Sequence, residues 1–286
     1  MKKIIAANWK MNHGFDETDL WLDGFFKNFS AKYEQLCEVE MVLCPPAILL
    51  DYIDSELVDD SFQHLEEVMK HEQRKIDDFS AEELNEIIQQ QRLIRLGGQD
   101  CHHELSGSFT GDVSAAMLRK VGCEYVIIGH CERRGGHFES NEIISQKIKT
   151  ALSQNLIPII CLGESKEIRA RGQHLEFIAE QFLASIPAEV KFQKMVIAYE
   201  PIWSIGTGLT PTAAEIEQVS EFIAKIFHKE FSNRAEEFYL LYGGSVNAQN
   251  SREILAIKGV DGLLVGKASL DVEEFIQICI SSSAFA

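Results

Sequence analysis

Eight short apolar runs recur along the 286-residue chain, and their spacing constrains the fold more than any other feature. They are Lys3–Ala7, Val39–Cys44, Leu93–Leu96, Tyr125–Ile128, Ile157–Cys161, Met195–Tyr199, Tyr239–Tyr242 and Gly262–Val265. The runs are continuous rather than alternating, as strands covered on both faces are. Longer amphipathic stretches lie between them. Leu20–Phe26, Ile143–Ile148 and Ile216–Phe227 repeat their apolar residues at helical spacing. Strands that alternate with helices predict a parallel α/β fold, and eight of them suit a closed (β/α)₈ barrel; a doubly wound open sheet is the second reading. No linker or internal repeat divides the chain, so residues 1–286 read as one barrel domain.

One interval is too long for this rhythm. Val42 to Leu96 exceeds the ~30 residues of a strand–helix–strand step. The excess, about residues 55–92, is acidic at Asp59-Asp60, Glu66-Glu67, Asp77-Asp78 and Glu82-Glu83. Phe62, Leu65 and Met69 are spaced to share a helical face. Ser80 and Glu83 read as a capping box opening a second helix with Leu84, Ile87 and Ile88. The spacing predicts a helical insertion between the second and third strands.

The formal net charge of −17 disfavours nucleic acid as a partner, and it makes any lysine at a strand end notable if the substrate is an anion. No run approaches the ~20 apolar residues of a membrane span, and the amino-terminal run is too short for a signal peptide; a cytoplasmic protein is the expectation. Seven cysteines stand singly without a CxxC pair, so neither a resident metal nor a disulfide framework is expected.

Polar residues gather where the runs end, and in such barrels active sites lie at the carboxyl ends of the strands. Asn8-Trp9-Lys10 ends the first run and His130 the fourth. Glu200 ends the sixth, Gly243–Val246 the seventh and Val265–Lys267 the eighth. Pro201 stops the strand after Glu200, Gly206 and Gly208 free the backbone beyond it, and Thr212 with Glu215 forms a capping box for the next helix. The last two strand ends are small-residue turns whose N–H groups can cradle a phosphate. Each feature alone is ordinary: a single Glu is a solvated turn residue and a single His a helix cap. Their joint occurrence at five strand ends is specific.

The chain resembles the triosephosphate isomerases. The resemblance rests on Ala6–Asn12, Leu96–Gln99, Gly129-His130 with Glu132–Arg134, Ala198–Gly208, Tyr242–Asn247 and Asp261–Gly266. It implies a (β/α)₈ barrel, normally a homodimer, that interconverts dihydroxyacetone phosphate and glyceraldehyde 3-phosphate with no metal and no organic cofactor. It implies Glu200 as the base, His130 as the electrophile, Lys10 as a fixed positive charge and Asn8 beside it. Gly206, Ser245, Gly266 and the amide of Lys267 match the phosphate-gripping positions, Pro201–Thr210 the closing lid, and Ser106–Asp112 a loop that reaches into a partner subunit. A neutral imidazole at a helix start is a known pattern of this family, and the resemblance implies it for His130.

Departures are also visible. Cys131 stands where the family usually has Ser, Gly135-Gly136 replaces bulkier residues, Leu209 and Pro211 alter the far hinge of the lid, and Lys267 replaces a small residue. None removes a catalytic group. Two other readings compete: a barrel enzyme for another indole or sugar phosphate, against which the Asn8, Lys10, His130 and Glu200 set argues, and a catalytically competent barrel whose insertion also serves as a protein-binding scaffold.

Overall fold

The apolar runs become strands that bury both faces. A computed structural model describes residues 2–59, 80, 92–205 and 210–285. Its strands are β1 (Lys3–Asn8), β2 (Val39–Cys44), β3 (Arg95–Gly98), β4 (Cys123–Ile128), β5 (Ile157–Leu162), β6 (Phe192–Tyr199), β7 (Ala235–Tyr242) and β8 (Gly262–Val265). They close in chain order into a parallel barrel. Closure is made by β1, where Ile4 lies beside Glu40 of β2 on one side and Gly262 of β8 on the other. An open doubly wound sheet is thereby excluded.

Alternate residues of each strand serve two different cores. Ile4, Ala6, Val42, Ile127, Ile159, Val196 and Leu241 fill the barrel interior. Ile5, Ala7, Leu43, Val126, Ile160 and Ile197 face outward, under the helices. Both faces are dry, so no polar alternation is written into the sequence. The covering helices bury one stripe each. Helix Phe15–Ala31 buries Trp21, Leu22 and Phe25, while Leu20 stays exposed. Helix Ala213–Glu230 starts at the expected capping box, with the Thr212 side chain accepting from the Glu215 amide and the Glu215 side chain from the Thr212 amide.

Four strands differ from their apolar runs, β4 by starting two residues earlier, at Cys123. β3 is displaced toward Gly97 and Gly98, residues that look like a turn. A Cβ on Gly97 would lie 2.6 Å from the Cys44 sulfur and 3.2 Å from the Tyr125 Cβ, so close packing of β3 between its neighbours requires glycine there. β6 and β7 extend further toward their amino ends than their apolar cores; Lys194 and Glu237 stand in register there, and the Lys194 ammonium is bonded to Glu40 of β2.

A helix over residues 50–59 follows β2. The chain is next described continuously from Arg92, whose buried guanidinium meets Asp54 of that helix at 2.7 Å. The expected helices around Phe62, Leu65 and Met69 and around Leu84, Ile87 and Ile88 lie outside the described residues. Among the described residues no helix is long and apolar enough to cross a membrane.

Candidate active site

Parallel strands end together, so their carboxyl-terminal residues converge on one face. A cavity of about 670 Å³ opens there, lined by Asn8, Lys10, His130, Glu200, Ser245, Gly266 and Lys267 among others. These are seven of the eight residues singled out in the sequence. The eighth, Gly206, lies outside the described residues, as do the other central residues of the expected lid.

Lys10 is held by an unusual backbone. Its φ is 53°, a left-handed conformation uncommon for a residue with a side chain. The Asn8 side-chain oxygen accepts from the Lys10 amide at 3.0 Å, and the Gln99 side chain donates to the Lys10 carbonyl at 2.7 Å. The Lys10 ammonium pairs with Glu132, 122 residues along the chain.

His130 is placed by a sharp exit from β4. Gly129 takes φ 74°, which turns the chain out of the strand. His130 then caps the helix Cys131–Gly136, the helical turn expected after it: its Nδ1 accepts from the Glu132 amide at 3.2 Å. With Nδ1 engaged as acceptor, the ring proton sits on Nε2, which faces the cavity.

Glu200 follows β6 and is 2% exposed. Its Oε1 lies 3.0 Å from His130 Nε2, and its Oε2 accepts from the Cys131 amide at 3.0 Å. Burial alone would raise the Glu200 carboxyl pKa; the adjacent His130, its hydrogen bonds and Lys10 outweigh that and lower it. For His130 the influences are reversed: burial lowers its pKa, and the Glu200 carboxylate more than compensates, raising it. The raising cause is the contact itself, so it weakens when a ligand parts the two groups.

The start of the lid is anchored. Glu164, fully buried after β5, accepts from the Tyr199 hydroxyl at 3.2 Å and the Trp203 indole at 3.0 Å. Ser245 donates to the Ser204 carbonyl at 2.6 Å, joining the turn after β7 to that hinge. On the far wall, Gly266 leads into the turn Lys267–Leu270, whose lysine side chain is exposed at the cavity rim.

Sequence reading missed Glu132 and Glu164 as functional candidates. The Glu132 amide donates to His130 Nδ1 and its carboxylate holds Lys10; its signals were its place two residues after the histidine and in the Glu132–Arg134 part of the resemblance. Glu164 had the corresponding signal of following an apolar run. The arrangement offers a buried carboxylate, a proton-bearing imidazole nitrogen and an ammonium around one cavity, with backbone amides at its other end. Such a set can move a proton at carbon next to a carbonyl while holding an anion.

Comparison with known proteins agrees with this chemistry. The family model described as Triosephosphate isomerase matches residues 3–74 and 77–282. A triosephosphate isomerase of Amoebophilus asiaticus is 38% identical over 282 residues, covering 97% of this chain and 98% of its own. One of Aquifex aeolicus is 37% identical, covering 98% of this chain and 100% of its own. The crystal structure of triosephosphate isomerase from Bartonella henselae superposes with a TM-score of 0.77 at 32% identity, over 98% of this chain and 99% of that one.

Proposed function

The chain belongs to the triosephosphate isomerase family, and from that premise we propose that Glu200, His130, Lys10 and Asn8 carry the interconversion of dihydroxyacetone phosphate and D-glyceraldehyde 3-phosphate. The observation that carries the assignment is the pairing of Glu200 with His130 at 3.0 Å on the wall of the strand-end cavity. A substrate entering between them would present a C–H to the carboxylate and a carbonyl oxygen to the imidazole.

The steps follow from the groups. The Glu200 carboxylate takes a proton from C1 of the ketose. The electron pair of that C–H bond becomes the C1–C2 double bond, and negative charge collects on the C2 oxygen. The Nε2–H of His130 and the ammonium of Lys10 stabilise that charge. The proton held on Glu200 returns at C2, a proton passes between the two oxygens through His130, and the aldose results. Electrons move only within the substrate, so the reaction calls for no redox cofactor. Asn8 acts by fixing the Lys10 backbone. Ser245, Gly266 and the amide of Lys267 grip the phosphate, with Gly206 of the lid completing the grip and excluding water from the intermediate.

We further propose a homodimer. Met11, Ile48, Phe109 and Phe138 are exposed large apolar residues, and each follows one of the first four strands at the barrel's carboxyl end. Apolar side chains on successive loops of one face suit burial against a second copy. A cytoplasmic location and a single barrel domain carrying the acidic segment at about 55–92 complete the proposal. An assay coupled to formation of glyceraldehyde 3-phosphate tests the activity, and sedimentation equilibrium tests the dimer. A folded protein without isomerase activity, or a monomer at micromolar concentration, overturns the corresponding part.

A further inference from the structure

We propose that His130, Cys131 and Glu200 together form a site for one thiophilic divalent cation, of the Zn²⁺ and Cd²⁺ class, and that its occupation switches the catalytic pair off. Among the described residues these three make up the one group of His, Cys, Asp or Glu side chains whose ligand atoms all lie within 4.8 Å of one another. The Glu200 side of the cluster is the closer one, with His130 Nε2 3.0 Å from Glu200 Oε1; Cys131 Sγ stands 3.8 Å from Nδ1, the other ring nitrogen, so the sulfur is the ligand that must move toward Nε2. Ligand atoms on a tetrahedral Zn²⁺ stand about 3.3–3.8 Å apart, so the cluster needs a contraction of about 1 Å at its widest.

The donor set decides the class of ion. Imidazole, thiolate and carboxylate are the ligands of borderline-soft ions, whereas Mg²⁺ and Ca²⁺ select oxygen alone. Three protein ligands leave a fourth position for water, and the cavity beside His130 and Glu200 provides it. Charge also closes: a thiolate and a carboxylate neutralise a divalent ion, and a protein of formal charge −17 draws cations toward itself. The Lys10 ammonium, a cation on the same cavity, is engaged by Glu132. On binding, the Cys131 thiol releases its proton to solvent as the metal–sulfur bond forms. The His130 proton moves from Nε2 to Nδ1, which gives up the Glu132 amide and has the Glu132 carboxylate 3.7 Å away, so that the Nε2 lone pair is free for the metal.

The site depends on Cys131. A hydroxyl at that position would leave two ligands, too few for tight binding. Substrate and metal would compete, since both require His130 and Glu200. The rate measurements below rest on the catalytic assignment made above, whereas the absorbance measurements do not, so failure of one is distinguishable from failure of the other.

Cys37 and Cys131 are the two cysteines that are not buried, so a Cys37→Ser background isolates the thiol of interest. This protein is titrated with CdCl₂ while thiolate-to-cadmium charge-transfer absorbance and isomerase rate are followed together. One Cd²⁺ per chain is expected, with absorbance rising as rate falls, reversal by chelator, and a shift to higher Cd²⁺ when substrate is raised. Cys131→Ser added to that background should lose the absorbance, and its rate, relative to its own metal-free value, should resist Cd²⁺. The weakening should exceed the about 10–100-fold that changes around a metal's ligands cost. Glu200→Gln should weaken the absorbance titration although its rate cannot be followed. Cd²⁺ inhibition undiminished in Cys131→Ser, a full absorbance change without loss of rate, or unchanged Cd²⁺ affinity in Glu200→Gln would each overturn the proposal.

Discussion

Glu200 Oε1 and His130 Nε2 face each other at 3.0 Å, so in the free site the proposed base and the proposed electrophile satisfy one another. A substrate must part them, and each group then turns from its partner to the reacting atoms. The Cys131 amide, donating to Glu200 Oε2 at 3.0 Å, steadies the carboxylate until then. This places the loss of the Glu200–His130 contact within the cost of binding, recovered when the same charges act on the transition state.

Glu200→Gln keeps the shape and the hydrogen-bonding reach of the side chain but removes its basicity. We expect kcat to fall by about 10²–10⁴-fold or more while binding of inorganic phosphate as a competitive inhibitor changes little. Steady-state kinetics and phosphate inhibition check this. A Gln variant within about threefold of the parent kcat is incompatible with the role.

Lys10→Met removes the cation that the proposed mechanism sets between the phosphate and the developing oxyanion. Both KM and kcat should worsen, with kcat/KM down about 100-fold or more. Glu132 would also lose its partner, so thermal unfolding must be measured alongside to separate chemistry from folding. Kinetics unchanged at low ionic strength would rule out the electrostatic role.

Lys267 is expected to act through its backbone. Its side chain is exposed at the cavity rim, while the amide stands at the turn after Gly266. Lys267→Gly should therefore change kcat/KM by less than about tenfold, ~1.4 kcal/mol. A hundredfold loss would show instead that the ammonium is a phosphate ligand.

Behind the site, Glu139 supports an ionic cluster in which Lys147 reaches both Glu139 and Asp100, and Arg133 reaches the same two. Burial by itself raises the Glu139 pKa, but Lys147 and Arg133 lower it below its ordinary 4.5. A depressed carboxyl stabilises the fold above its unfolded-state pKa, and that stability is lost as pH falls through the folded value. Asp100 works in the opposite sense: burial raises its pKa despite Lys147, so its penalty is relieved on acidification. Replacing Glu139 by Gln should therefore flatten the loss of stability below about pH 4.5 and lower stability at neutral pH. Urea unfolding from about pH 3 to 7 measures it; an acid limb as steep as the parent's would contradict the assignment.

Legibility in the sequence follows the range of the interactions. β1, β2, β5 and β8 match their apolar runs because burial on both faces writes itself locally. The Thr212–Glu215 cap is readable because it closes within one turn. β3 departs from its apolar run because its glycines are chosen for close contact, Gly97 with Cys44 and Tyr125 and Gly98 with Leu118, not for strand propensity. The amino ends of β6 and β7 are hidden because Lys194 is polar yet faces inward, bonded to Glu40 and Tyr125 from other strands. At the site, residue types and strand-end positions are legible, but the pairing of Lys10 with Glu132 and of His130 with Glu200 requires the barrel to close.

The acidic segment should be dispensable for chemistry. Its described flanks meet where Arg92 pairs with Asp54 at 2.7 Å, so a short connection can join them. Arg92 also lines a cavity with Lys2, Val39 and Arg95, residues at the amino ends of β1, β2 and β3. The chain thus re-enters β3 from the end of the barrel opposite Glu200 and His130, which follow the carboxyl ends of β6 and β4. An acidic run would moreover repel an anionic substrate if it lay at the catalytic mouth. Replacing residues 60–89 with a short Gly/Ser loop, leaving Asp54 and Arg92 in place, should keep kcat/KM within about tenfold of the parent. Stability is read separately by thermal unfolding. A variant that stays folded with its parent's oligomeric state but isomerises about a thousandfold more slowly, ~4 kcal/mol in transition-state terms, would place the segment in the reaction after all.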